Sequence, residues 1–96
     1  MAIIGTFTQR DAQFIGTVRT LILNEEITLI PVEKASEAAP DYRAVTGQIE
    51  IGAAWRKTSK QQNDYLLVKL DDPSFDAPLV ARLVNMAEGW RLLWSR

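Results

Sequence analysis

Short runs of alternating apolar and polar residues recur along the whole chain, each closed by a cluster of turn-forming residues. A period of two marks a half-buried strand, because successive strand side chains point to opposite faces. Ile3 to Phe7 is the first such run, and Thr8-Gln9-Arg10-Asp11 reads as the turn after it. Phe14 to Leu23 is rich in β-branched and aromatic residues, which suit a pleated surface. Its alternation sets Phe14, Gly16, Val18, Thr20 and Ile22 against Ile15, Thr17, Arg19, Leu21 and Leu23. Asn24-Glu25-Glu26 reads as a tight connection to Ile27–Val32, giving a hairpin over 14–32. Pro31 has no N–H for a ladder and belongs at an edge or bulge.

The polar, Ala- and Glu-rich segment 33–41 reads as a surface loop. Tyr42 to Val45 is a short strand candidate, and Gly47 permits a break after it. In Ile49–Lys57 the alternation places Ile49, Ile51, Ala53 and Trp55 on the core face and Glu50, Gly52, Ala54 and Arg56 outside. Thr58 to Asp64 is a polar loop, and in Tyr65–Leu70 the residues Leu66, Val68 and Leu70 oppose Tyr65, Leu67 and Lys69. Asp71-Asp72-Pro73-Ser74 is a turn in which an Asp side chain can bond the backbone. Segment 78–86 fits two patterns, a strand and, after Asp76 and Pro78, a helical stripe; the strand is the preferred reading. After a turn at Ala87-Glu88-Gly89, the closing run puts Trp90, Leu92 and Trp94 on one side. The expected fold is all-β, a small antiparallel barrel or sandwich of six to seven strands, with 78–86 as the segment open to a helix.

Composition narrows the chemistry. Ninety-six residues and 47% hydrophobic content suit one globular domain with one core. The chain has neither Cys nor His. That removes disulfides, thiolate nucleophiles, cysteine zinc sites and every triad built on imidazole. The lack of Cys fits the cytoplasm, and the opening residues have no basic segment followed by a long apolar run, so no signal peptide is expected. No stretch approaches the ~18 apolar residues of a membrane helix. Net charge is −1 but sorted by segment: residues 24–41 carry five acids and one Lys, whereas 55–69 carry four cations and one acid.

The candidate site is therefore a surface. Trp55, Arg56, Lys57, Tyr65, Lys69, Arg82, Trp90, Arg91, Trp94 and Arg96 combine flat rings with cations, the pairing that single-stranded nucleic acid needs for its bases and phosphates. Alternation sends Trp55, Trp90 and Trp94 to the core, which leaves Arg19, Arg56, Lys57, Tyr65, Lys69, Arg82 and Arg91 as the outward nucleic-acid-binding set. The simpler alternative is a solvated charged face. Asp71, Asp72 and Asp76 read as turn residues rather than metal ligands, and Ser59-Lys60 lacks the burial that would activate a lysine base. The glycines match neither phosphate-loop spacing, and the acidic stretch 25–41 is read as solvated, with a basic partner as its functional alternative.

Several pieces carry a family likeness: Ile4-Gly5-Thr6-Phe7, Phe14 through Leu21, Ala39-Pro40-Asp41-Tyr42-Arg43, Glu50 through Trp55, Val68 through Phe75, and Trp94-Ser95-Arg96. Together they resemble a family of short proteobacterial proteins classed as domain of unknown function number seven hundred and thirty-six. Such proteins are often encoded on plasmids and integrating conjugative elements, so the resemblance implies a role linked to mobile DNA; it brings no active site. The expectation is a non-enzymatic accessory of mobile DNA that binds single- or double-stranded DNA weakly through its basic face. The alternative is a protein-interaction module, adaptor or inhibitor, that does not bind nucleic acid. Neither reading involves a catalytic residue, metal, cofactor or membrane.

Overall fold

In the computed structural model, which describes residues 2–21 and 23–95, all eight apolar runs of the chain are strands. Ile22, assigned above to an apolar face, and Arg96, a member of the aromatic and basic set, lie outside the described residues. The strands are β1 (Ala2–Arg10), β2 (Gln13–Arg19), β3 (Asn24–Pro31), β4 (Tyr42–Thr46), β5 (Ile49–Thr58), β6 (Asp64–Leu70), β7 (Leu79–Met86) and β8 (Gly89–Trp94). Each is antiparallel to the next, and β8 pairs with β1, so the sheet closes into a barrel. Closure removes the unpaired edges that an open sheet must protect.

Eight strands form where six to seven were expected, because even the five-residue β4 pairs on both sides, with β3 and with β5. The sandwich alternative is excluded by the β1–β8 ladder. Segment 79–86 is strand, not helix. Leu79, Ala81 and Leu83 lie opposite Leu70, Val68 and Leu66 across the ladder, and a helix there would strand the backbone groups of both β6 and β8. Two turns also differ from expectation. β1 runs on through Arg10, so the first turn shrinks to Asp11-Ala12, with Asp11 at φ 53°. The β2–β3 turn is Thr20–Leu23, closed by the Thr20 N–H to Leu23 O bond at 2.7 Å and the Leu23 N–H to Thr20 Oγ1 bond at 3.1 Å. Asn24-Glu25-Glu26 is consequently the start of β3 rather than the connection.

The barrel interior is filled by apolar side chains from every strand, and no polar residue is buried among the described residues. Val18, Leu29 and Leu83 have no exposed surface at all. At one end Phe75, from the β6–β7 loop, packs against this core; at the other, Trp90, Phe14 and Tyr42 form an edge-to-face ladder with centroid spacings of 4.8 and 5.7 Å. Trp90 and Trp94 pack on the core as the alternation of β8 requires.

One local irregularity decides which side chains face out. Between β4 and β5, Ala44 lies opposite Gly52 but Val45 lies opposite Glu50, so Ile51 is an extra residue, a β-bulge. Beyond it the faces of β5 exchange. Ala54 is buried, Arg56 turns to the barrel mouth, and Trp55 and Lys57 stand on the outer wall. The expected faces of Trp55 and Arg56 are therefore exchanged, although Arg56 at the mouth stays exposed and Trp55 is half-buried. Ile51 remains buried, whereas Ile49 is 59% exposed.

Candidate nucleic-acid interface

The outer wall of β5 to β8 follows from this register. Upper β5 contributes Ala53, Trp55 and Lys57; β6 contributes Tyr65, Leu67 and Lys69; β7 contributes Val80, Arg82 and Val84; β8 contributes Arg91 and Leu93. Cross-strand neighbours run Lys57 to Tyr65, Trp55 to Leu67 to Arg82 to Leu93, and Ala53 to Lys69 to Val80. These positions hold four cations and two aromatic rings and no acid. Residues directly opposite on one face lie within about 5.5 Å at Cβ, so the groups act as one surface.

The rings are held in place. Trp55 Nε1–H donates to Ala38 O at 3.0 Å, which ties the half-buried indole to the 32–41 loop. Arg82 lies 6.0 Å from the centroid of the Tyr65 ring, a cation–π contact that supports both side chains. Lys57 and Lys69 have no ion-pair partner within 4.0 Å among the described residues. Both line a shallow groove of about 390 Å³ with Trp55, Leu67, Val80 and Ala38. Glu37 stands at its rim, and Glu50 and Asp71 line an adjoining cavity with Trp55 and Lys69.

The structure does not bring the whole expected set together. Lys57, Tyr65, Lys69 and Arg82 meet on the wall. Arg91 is on it too, but its guanidinium is spent on the β7–β8 turn, donating to Trp90 O at 3.1 Å and Glu88 O at 3.0 Å. Arg19 is on β2, four strands from β6 in either direction round the barrel, and so faces away. Arg56 sits in the barrel mouth, 5.8 Å from the Tyr42 ring centroid and donating to the Tyr42 hydroxyl at 3.0 Å. That bond favours the charged guanidinium and raises its pKa further. Trp55, excluded from the set on strand alternation, is the residue the sequence reading missed. Gly52, a glycine interrupting an alternating strand, was the signal for the bulge that moves it.

Asp41 positions the loop that Trp55 leans on. Its carboxylate accepts the Arg56 N–H at 2.8 Å and pairs with Lys34 at 3.6 Å. The Arg56 amide is the main cause holding its pKa below the usual aspartate range; burial opposes it, and Lys34 adds to the lowering. A depressed folded-state pKa stabilises the protein above the unfolded value of about 3.9 and loses that contribution as pH falls through the folded value. Asp41→Ala is therefore expected to lower stability by about 1 kcal/mol at pH 7. The gap from wild type should shrink steadily below about pH 4. Urea melts at pH 7 and pH 3 test this, and an equal gap at both would refute it.

Among the described residues no group of three carboxylates could hold a metal ion, and no helix is long and apolar enough to cross a membrane. No curated protein and no solved structure matches the chain. One family model, described as a protein of unknown function (DUF736), matches residues 3–96.

Proposed function

The chain belongs to the DUF736 family; from the geometry of its outer wall we propose that it binds single-stranded nucleic acid, and from the family resemblance and composition that it does so as a non-enzymatic, cytoplasmic accessory of mobile DNA. The observation that carries this reading is the row of Lys57, Lys69, Arg82, Trp55 and Tyr65 across three adjacent strands, with the acids Glu37, Glu50 and Asp71 only at its borders. Cations at strand spacing can follow a phosphate backbone, and the part-exposed rings of Trp55 and Tyr65 can stack on bases, each such stack contributing roughly 1–3 kcal/mol. A single strand suits the surface better than a duplex, because the wall is convex and offers no helix or ribbon to enter a groove. The near-neutral net charge limits non-specific attraction, so the binding is weak and local.

Fluorescence anisotropy with labelled single-stranded and duplex oligonucleotides tests the reading. Three unpaired cations predict a log–log salt slope of about −2, hence about 100-fold weaker binding for a tenfold rise in salt. The single strand should bind more tightly than the duplex at every salt concentration. Absence of binding at low salt would overturn the proposal.

A further inference from the structure

The opposite feature of the molecule is the end of the barrel formed by the β2–β3, β4–β5 and β6–β7 connections. Two cavities of about 390 and 260 Å³ lie there side by side, with Leu23, Ser74 and Phe75 as their shared wall, so they form one groove. Its apolar surface comes from Leu23, Ile49, Phe75 and Leu79. Glu25, Asp72 and Asp76 also line it, and among the described residues no Lys or Arg does. The loop bearing Phe75 is fixed rather than loose: Phe75 N–H donates to Asp72 O at 2.8 Å, and the Asp72 carboxylate accepts the Ser74 N–H at 2.9 Å.

Beside the groove, the hairpin tip between Thr20 and Leu23 presents Leu21 fully to solvent, and Ile49 is 59% exposed. Turn tips are ordinarily polar, and exposed apolar residues beside an apolar groove mark an interaction surface. The carboxylates select against phosphate, so this end cannot share the ligand of the basic wall.

We propose that this end is a docking site for a protein segment that presents apolar side chains flanked by Lys or Arg. The apolar groove takes the hydrophobic side chains, and Glu25, Asp72 and Asp76 pair with the flanking cations. The claim stands without the nucleic-acid reading; where both hold, the barrel joins a basic protein to a nucleic acid.

The test titrates isotope-labelled protein with two synthetic amphipathic peptides of equal length, one patterned Lys/Leu and the other Glu/Leu. The Lys/Leu peptide is expected to shift the amide signals of Leu23, Ile49 and Phe75, and the Glu/Leu peptide to leave them in place. Ile49→Ser, Leu21→Ser and Glu25→Lys change exposed side chains and should keep the urea midpoint. Each is expected to weaken the Lys/Leu peptide at least tenfold. Shifts confined to the acidic 33–41 loop would overturn the proposal, as would full affinity in the Ile49→Ser and Leu21→Ser proteins. So would a dimer, seen by sedimentation, that Ile49→Ser dissolves, because that end would then serve a second copy of the chain.

Discussion

Replacing Gly16 with alanine is expected to cost about 3 kcal/mol or more, enough to leave a small unstapled barrel partly unfolded at room temperature. A Cβ at Gly16 would stand 2.2 Å from Thr6 O, 2.5 Å from Phe7 Cγ and 2.7 Å from Phe7 Cα. None of these can retreat cheaply. Thr6 and Phe7 are locked on their other side against Arg91 and Trp90 of β8, and the Phe7 ring occupies the space that the missing side chain leaves. The methyl group can be accommodated only by parting β1 from β2, which opens the closed sheet. Gly47 is the control. It sits in a turn at φ 61° with nothing within 4 Å, so Gly47→Ala meets conformational strain alone and should cost only about 1 kcal/mol. Urea denaturation followed by tryptophan fluorescence compares the two. Equal midpoints would show that the close approach at Gly16 does not hold the barrel shut.

The second large effect is expected on binding. Lys57→Glu combined with Lys69→Glu removes the two cations of the groove beside Trp55 and replaces them with charges that repel phosphate. Single-strand affinity at low salt should fall at least 100-fold, and the salt slope should flatten by about 1.4, or 0.7 for each lost phosphate contact. Both side chains are exposed on the wall, so the unfolding midpoint should hold. Arg19→Glu makes the same charge change on the far side of the barrel and should leave affinity nearly untouched. If Arg19→Glu weakens binding as much as the wall variant does, long-range charge rather than this surface is responsible.

The strand content was legible wherever the period of two ran uninterrupted. Leu66, Val68 and Leu70 on β6, and Leu79, Ala81 and Leu83 on β7, lie as their alternation places them, and so do Trp90, Leu92 and Trp94 on β8. Alternation fails where a residue is added to one strand only. Ile51 shifts the register of β5 by one, and a shift of one exchanges the faces of every residue beyond it. Trp55 moved outward and Arg56 inward for that reason alone. The β2–β3 turn was misplaced because its tip is apolar. The turn-forming residues stand at Asn24-Glu25-Glu26, whereas the chain reverses between Thr20 and Leu23 on a bond to the Thr20 hydroxyl. The grouping of Lys57, Tyr65, Lys69 and Arg82 could be anticipated from neighbouring strands, but the separation of Arg19 could not. Which strands stand opposite each other is a property of closure, and the β1–β8 ladder is not written in either strand by itself.

The proposed working surface is the outer wall of β5 to β8. Amide spectra of the labelled protein, recorded with and without a single-stranded oligonucleotide at low salt, test that most directly. The account predicts shifts clustered at residues 53–57, 65–69 and 80–84, with the Trp55 indole signal among the largest. Shifts centred on Arg19, on the mouth around Arg56 and Tyr42, or on no residue at all would contradict it.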